Sequence, residues 1–386
     1  MAIYLDHAAT SPMRAEVIAA YTAALPLVGN PSSIHGQGQA ARELLEVGRA
    51  QVAASLGADA VEVVLTGGGT EAVNLGIKGL FWARAPRRRV IVPLAEHHAT
   101  IDSVEWLAAH EGAIIDWIPV DDVGRIRLDA LDAALVAGGD EVALVTAIWA
   151  NNEVGTIQPV NEIVALAAAR GVPVHLDAIS AYGSVPIDFH ATKAAALSVS
   201  AHKIGGPVGV GALLVSRTAK VEPLFHGGNQ QRARSGTQDA PGAAAFGVAA
   251  QTITPPTSTL RDRLVTGIHA AVPGATLRGD STASGRLPGN AHFTFDGCEG
   301  DSLLFLLDVA GFSVSTGSAC QAGVPEASHV LLAMGLSEQA ARGALRFTLG
   351  HDTTPDEIDA LLAALPAAVE QARAAGFAAR TPTLGR

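Results

Sequence analysis

The chain contains little cysteine, and this restricts the cellular compartments in which we expect it to function. Its 386 residues include two cysteines, Cys298 and Cys320. Two thiols cannot form the disulfide framework of a secreted domain, so we expect a reduced, cytoplasmic protein. The first residues also lack a basic segment followed by an apolar one, and no secretion signal is expected.

Long apolar runs and an excess of positive charge are missing as well. A run such as 142–150 is far shorter than the ~20 residues that a membrane-spanning helix needs, so we expect no membrane contact. The formal net charge of −11 argues against direct binding of nucleic acid through a basic face. The short basic run 87–89 is better explained as a solvated loop before a strand. A hydrophobic fraction of 48% instead indicates a globular protein with a large core.

Lysine is also scarce, and one lysine is placed unusually. Lysine occurs only at positions 78, 193, 203 and 220. Lys203 stands beside His202, after an apolar stretch and before a glycine pair. A lysine that forms a Schiff base needs a lowered pKa and a place at a strand end next to a cofactor. Lys203 fits this description, although a surface lysine after a strand would give the same local pattern.

Short apolar runs alternate with helical patterns between residues 60 and 216. The predicted strands are 61–65, 90–93, 142–148, 172–176, 196–199 and 208–215. This alternation favours an α/β fold with a mostly parallel central sheet and helices on both faces. Beyond the polar segment 252–258, long helical patterns surround a strand at 291–295. We therefore predict a large domain over 16–254 and a smaller α+β domain formed by 1–15 and 255–386.

The segment Thr66-Gly-Gly-Gly-Thr-Glu-Ala-Val-Asn74 follows a predicted strand and opens a predicted helix. Glycines let the backbone wrap an anion, and a helix N-terminus offers unpaired N–H groups. Gly69 and Thr70 are therefore candidates for binding phosphate. Neither the P-loop pattern nor the Rossmann glycine pattern is present, so a nucleotide is not expected. A glycine-rich turn with a threonine cap and no ligand is the alternative.

Asp177 lies at the end of a predicted buried strand, where open α/β sheets bind their ligands. A carboxylate buried there needs a cationic partner, and a protonated pyridine nitrogen would serve. A core aspartate that caps the next turn is the alternative. Asp177, Lys203 and the phosphate cradle together supply the groups that pyridoxal 5′-phosphate requires.

Three further segments carry candidate chemistry. His97, in Glu96-His-His98, could stack on a cofactor ring or move protons. Adjacent histidines also suggest a metal ion, but no third ligand has a recognisable spacing, and no metal is predicted.

Cys320 is surrounded by small residues that would leave its thiol exposed, as a nucleophile requires, whereas Cys298 is expected to be a small buried hydrophobe. Arg346 lies among apolar residues, a setting in which arginine commonly binds a carboxylate.

These motifs, taken in order, resemble the NifS/IscS-type cysteine desulfurases. That family belongs to the pyridoxal-phosphate-dependent enzymes of fold type I, in the aminotransferase class-V group. The matching segments are 4–10, 29–35, 66–74, 96–99, 151–155, 175–178, 200–203, 234–237, 318–320, 328–331 and Arg346. The resemblance therefore covers the chain almost from end to end.

The resemblance implies a role for each matching residue. Lys203 would bind the cofactor covalently, Asp177 would pair with its ring nitrogen, and His97 would stack on the ring and take part in proton transfer. The phosphate would be bound by Gly69, Thr70, Ser200 and His202, with Thr237 reaching in from the neighbouring subunit of a homodimer. L-Cysteine would be bound through Asn30, Asn152 and Arg346, and Cys320 would attack its sulfur. The products would be L-alanine and a persulfide, whose sulfur passes to an acceptor protein for iron–sulfur cluster assembly or for thiolation of tRNA or cofactors.

Three departures from the family pattern stand out. Ser180 occupies a cofactor-binding position where glutamine is usual, and its side chain is too short to make the same contact directly, so a water molecule or a shifted neighbouring residue must replace it. The segment 227–237 is shorter than the usual pattern, and His7 and His351 replace a common asparagine and arginine. We expect Ser180 to lower turnover without abolishing it.

Three other functions fit parts of the pattern. They are a selenocysteine lyase, another pyridoxal-phosphate-dependent lyase or transaminase of the same fold, and a non-catalytic sulfur-assembly scaffold. The presence of Lys203, Asp177, Cys320 and Arg346 together disfavours the scaffold.

Overall fold

The computed structural model describes residues 2–256, 258–317 and 327–378 of the chain. Its helices are α1 (Ala15–Ala24), α2 (Gly36–Ser55), α3 (Gly69–Ala83), α4 (His98–Glu111), α5 (Leu128–Gly138), α6 (Val160–Ala168), α7 (Phe189–Thr192), α8 (Ala240–Gln251), α9 (Ser258–Ala271), α10 (Gly300–Val309), α11 (His329–Ala333), α12 (Glu338–Arg342) and α13 (Pro355–Ala378). Its strands are β1 (Ile3–Tyr4), β2 (Val63–Thr66), β3 (Arg89–Pro93), β4 (Ile114–Ile118), β5 (Val142–Ile148), β6 (Val174–Asp177), β7 (Ala196–Ser200), β8 (Gly211–Val215), β9 (Ala275–Arg278), β10 (Asn290–Phe295), β11 (Phe312–Ser313) and β12 (Ala344–Thr348). Short 3₁₀ turns at Ala60–Glu62, Gly139–Glu141 and Ala201–Ile204 complete the regular structure of these ranges.

The central sheet has the strand order β2-β8-β7-β6-β5-β3-β4. The neighbours from β7 to β4 pair in parallel, whereas β8 is antiparallel to both β2 and β7. Strand β5 is buried along its whole length, as expected of a strand covered on both faces. The predicted α/β class with a mostly parallel sheet is therefore confirmed.

Some strands differ from those predicted. Strand β4 was not predicted, because this edge strand is partly exposed and carries Asp116 in its middle, which hides the apolar pattern. Strand β2 begins two residues later than predicted, because a 3₁₀ turn with a capping box on Asp59 precedes it. Strand β8 begins at Gly211 and not at 208, because Gly209 has a φ of +81°, a turn conformation.

A second core lies outside the central sheet. Strands β12, β10 and β9 form an antiparallel sheet, and β1 pairs in parallel with β11. Helices α9, α10 and α13 bury apolar residues together with these strands, and Cys298 is 5% exposed among them, which confirms it as a buried hydrophobe. The domain boundaries at 16 and 254 stay a prediction. Within the described ranges no helix is long and apolar enough to cross a membrane.

One edge of the central sheet gathers the polar residues. Strands β2, β3, β5, β6 and β7 all run in the same direction, so their carboxyl ends meet at this edge. Asp177 is the last residue of β6, and Gly69, Glu96, Asn152 and Lys203 come soon after the ends of the other four strands. Ligands of open α/β sheets bind at such an edge, and the candidate site lies here.

Candidate active site

Lys203 lies on the 3₁₀ turn that follows β7. Its Nζ donates hydrogen bonds to the backbone carbonyl oxygens of Ala8 and Ala9, the latter at 3.0 Å. Burial, and then the positive charge of Arg346, lower the pKa of the amine to about 8, although Asp6 and Asp177 act in the opposite direction. About a tenth of the amine is therefore neutral at pH 7, whereas an ordinary lysine is almost entirely charged. Lys203 is suited to act as a nucleophile.

Asp177 ends β6, and 2% of the residue is exposed. One of its carboxyl oxygens accepts a hydrogen bond from the backbone N–H of Ile179 at 3.0 Å. Burial raises the pKa of this carboxyl to about 6, while that hydrogen bond and the charge of Lys203 lower it. No described cation forms an ion pair with the carboxyl. It is therefore a buried acid that lacks a close cationic partner.

Two histidines of the site are held in their neutral forms. His97 caps the N-terminus of α4, and its Nδ1 accepts a hydrogen bond from the backbone N–H of Ala99 at 3.0 Å, which leaves Nε2 to carry the ring proton. Burial of this ring, followed by the positive charge of Lys203, lowers its pKa to about 4. His202 places Nδ1 3.2 Å from the hydroxyl of Thr10, and burial followed by the charge of Lys203 lowers its pKa to about 4.

The glycine-rich segment forms a cradle at the start of α3. Gly68 caps this helix with a φ of +137°, a conformation that favours glycine. A Cβ atom on Gly69 would lie 2.5 Å from Cδ1 of Ile179, so a larger residue would crowd the cradle. Ser200, whose Cβ is next to Gly69, is 1% exposed, and its hydroxyl has no hydrogen-bond partner among the described residues. Unpaired N–H groups and an unpartnered buried hydroxyl together make an anion site.

Arg346 lies on β12 and is 4% exposed. One of its terminal nitrogens donates to the backbone carbonyl oxygen of Asn152 and the other to the carboxylate of Asp6, both at 2.8 Å. Its Nε has no hydrogen-bond partner within the described ranges. The guanidinium is thus held in place from two sides and keeps a free donor for a ligand.

These groups, apart from Ser200, line one cavity of about 420 Å³. Of the residues predicted from sequence, the cavity brings together Gly69, Thr70, His97, Asn152, Asp177, Ser180, His202, Lys203 and Arg346. Asn30 and Thr237 are exposed and do not line it; the side chain of Asn30 instead accepts a hydrogen bond from the backbone N–H of Ser32 at 2.9 Å. Cys320 lies outside the described residues. Gly317, three positions before it, lines the cavity.

Sequence reasoning gave no role to two residues that shape the site. Glu96 is fully buried and lines the cavity, and Asp6 orients Arg346. Both lie in segments that match the family pattern, and this match could have identified them as candidate site residues. The contact between Asp6 and Arg346 joins residues 340 positions apart, and no local spacing reports it.

The donor set fits pyridoxal 5′-phosphate. The cradle at Gly69 and Ser200 would bind its phosphate. The Asp177 carboxyl is buried without a cationic partner, and it would accept a hydrogen bond from the protonated ring nitrogen. The amine of Lys203, with its lowered pKa, would bind the aldehyde carbon. A cavity of about 420 Å³ is within the usual range for a cofactor site.

Comparison with known proteins agrees with this fold. The model of the aminotransferase class-V family matches residues 3–361. A Mycobacterium tuberculosis protein named IscS-like cysteine desulfurase is 49% identical, over 97% of this chain and 98% of its own length. A solved NifS-like protein superimposes with a TM-score of 0.87 at 30% identity, covering 96% of this chain and 100% of its own. A structure of SspA in complex with cysteine superimposes with a TM-score of 0.80 at 29% identity, covering 90% of this chain and 98% of its own.

The fold is that of the pyridoxal-phosphate-dependent proteins of fold type I, and the lysine-centred cavity lies at the carboxyl edge of its sheet. The chain belongs to the aminotransferase class-V family and, within it, to the IscS/NifS-like cysteine desulfurases.

Proposed function

We propose that this protein is a pyridoxal-phosphate-dependent cysteine desulfurase that converts L-cysteine to L-alanine and transfers the sulfur to Cys320. The observation that carries the proposal is the lowered pKa of Lys203 in a cavity that also holds the unpaired Asp177 carboxyl and the free Nε of Arg346. The similarity to named cysteine desulfurases supports the same conclusion.

The residues of the cavity divide the work. Arg346 and Asn152 would bind the substrate carboxylate, because the guanidinium is already fixed by Asp6 and keeps a donor free. The neutral amine of Lys203, whose pKa is about 8, is suited to take a proton from the substrate Cα and to return one. His97 would cover the ring of the cofactor and keep water from that face. When bound, the cofactor supplies an electron sink for the pair left at Cα.

Cys320 would take the sulfur. Its thiolate attacks the substrate Sγ, an S–S bond forms, the Cβ–S bond breaks, and Cβ gains a proton to give alanine. The persulfide would then pass its outer sulfur to an acceptor protein for iron–sulfur cluster assembly or for thiolation of tRNA or cofactors. We also assign the protein to the cytoplasm, since it has few cysteines and the chemistry requires free thiols.

We further propose a homodimer whose sites are completed across the interface. Asn30 and Thr237 are exposed in one chain and lie away from its cavity, although the family pattern gives them substrate and phosphate contacts. The segment next to Asn30 exposes large apolar side chains, with Val28 at 72% and Ile34 at 91% exposure. Large apolar side chains exposed close together in the sequence are compatible with an interface.

The proposal is tested by product analysis of the wild type and of Cys320→Ala. With L-cysteine and a thiol reductant, we expect the wild type to release alanine and sulfide in equal amounts, and the variant to release neither. A variant that keeps wild-type turnover would show that the thiol is incidental, and a lyase or transaminase activity would then replace the proposed one. Lys203→Ala serves as a second control, since it should lose both products whichever activity is present.

A further inference from the structure

Glu96 is a fully buried acid in the cavity for which the proposed reaction has no use. It lies between β3 and α4 and is 0% exposed. Its Oε1 accepts a hydrogen bond from the backbone N–H of Ile148 at 2.7 Å. Its Oε2 has no hydrogen-bond partner in the described ranges, and its carboxyl makes no ion pair with any residue there.

The groups that face Glu96 do not supply a cation. The titratable and charged residues that share its cavity are His97 and His98 at the start of α4, Glu153 after β5, Asp177 on β6, His202 and Lys203 after β7, His329 on α11 and Arg346 on β12. Arg346 is bonded to Asp6 and to the carbonyl oxygen of Asn152. The Nε2 of His329 contacts the backbone carbonyl oxygen of Glu96, at 2.8 Å, and not its carboxyl. The cations of the cavity are therefore occupied elsewhere.

The negative charge that acts on Glu96 is that of Asp177. Ile148, whose N–H binds the Glu96 carboxyl, pairs in register with Asp177 on the neighbouring strand. Burial raises the pKa of Glu96 well above 4.5. The Ile148 hydrogen bond opposes this rise, the negative charge of Asp177 adds a smaller rise, and the Thr100 hydroxyl lowers the pKa slightly. Two buried carboxyl groups that share one site do not both ionise readily.

We propose that Glu96 is a positioning residue that carries a proton, so that Asp177 is the only ionised member of this buried carboxyl pair. The neutral carboxyl keeps the Ile148 contact and leaves an O–H donor on the unpartnered oxygen. One negative charge would then remain for the ring nitrogen of a bound cofactor, and the nitrogen of Lys203 would not be further stabilised in a charged form by Glu96. This last consequence rests on the proposed function; the protonation of Glu96 does not.

Infrared spectroscopy of the full-length, cofactor-loaded protein tests the protonation directly. With ¹³C-labelled glutamate side chains at pH 7, we expect a protonated carboxyl band in the wild type that disappears in Glu96→Gln. Glu62→Gln is the matched control, because Glu62 is also buried, at 3% exposure, but receives a contact from Nε2 of His190 at 2.7 Å and does not line the cavity. The band should persist in this control. A wild type without the band, or a band unchanged by Glu96→Gln, would overturn the proposal.

The pH titration of the visible absorption band gives a second, independent readout. Glutamine replaces a neutral carboxyl with a neutral amide, so the midpoint in Glu96→Gln should stay within about 0.3 pH units of the wild type. If Glu96 were ionised, removing its charge would lower the midpoint by about 1 unit or more, and that result would overturn the inference. A wild type without any visible band would instead count against the proposed function, and the infrared result would still decide the protonation of Glu96.

Discussion

The lowered pKa of Lys203 makes a quantitative prediction for how fast the protein without cofactor binds pyridoxal 5′-phosphate. Only the neutral amine attacks an aldehyde. With a pKa of about 8, against 10.5 for an ordinary lysine, the amine is about 9% neutral at pH 7 rather than about 0.03%. The reactive fraction is thus ~300-fold larger than that of a free lysine side chain at the same pH.

The assay is the second-order rate constant for appearance of the visible band between pH 6 and 10.5, divided by that for Nα-acetyl-lysine amide at the same pH. Division by the model amine removes the titration of the aldehyde itself. Below pH 8 both amines gain neutral form about tenfold per pH unit, so the ratio should be flat. Above pH 8 Lys203 is already neutral, and the ratio should fall about tenfold per unit until the model amine titrates.

A ratio that stays flat through pH 10 would refute the reasoning, since it would mean that Lys203 titrates like an ordinary lysine. Arg346→Met offers an internal check on the cause. The charge of Arg346 is the second largest cause of the lowered pKa, after burial. Its removal should therefore raise the pKa of Lys203 and move the break in the ratio to a higher pH.

Three further predictions concern single residues of the cavity. Asp177→Asn removes a charge-assisted hydrogen bond worth about 1.5–3 kcal/mol, so the dissociation constant for pyridoxal 5′-phosphate should rise ~10–150-fold in a fluorescence titration, and an unchanged constant would contradict the assigned contact. Arg346→Lys cannot keep both present contacts and also bind a carboxylate in the same geometry, so KM for L-cysteine should rise by about tenfold or more while the cofactor still binds; equal KM values would show that the carboxylate binds elsewhere. Ser180→Gln introduces a side chain long enough to reach the cofactor, and it should shift the pH midpoint of the visible band; a midpoint equal to that of the wild type would show that Ser180 has no such influence.

The fold class and most of the cavity could be predicted from the sequence because their signals are local. Strand β5 is a continuous apolar run, and its predicted bounds, 142–148, match those of the structure. The glycine segment before α3 and the lysine after β7 each stand at a strand end, where the topology of a parallel sheet dictates that ligand-binding residues meet.

The parts that escaped prediction depend on contacts between distant segments. Strand β4 was missed because half-exposed edge strands lack a continuous apolar run. The role of Asp6 depends on its contact with Arg346, which is distant in the sequence. The protonation state proposed for Glu96 depends on the burial of its carboxyl beside Ile148. Burial and interactions between charges arise only in the folded chain, so they cannot be predicted from the spacing of residues in the sequence.

The pairing of β1 with β11 also constrains when the protein can mature during synthesis. Ile3 pairs with Phe312 and Tyr4 with Ser313. The contact of Asp6 with Arg346 cannot form until Arg346 has been synthesised. The segment that follows β1 supplies the carbonyl oxygens that bind the Lys203 amine. The amino-terminal residues leave the ribosome first, yet they reach their final place only after the greater part of the chain has been made. Contacts of such high sequence separation form slowly, because the intervening chain must lose its conformational entropy first. We therefore expect nascent chains that end before residue 312 to bind the cofactor poorly even though Lys203 is already present, and loading to be a late, post-translational event.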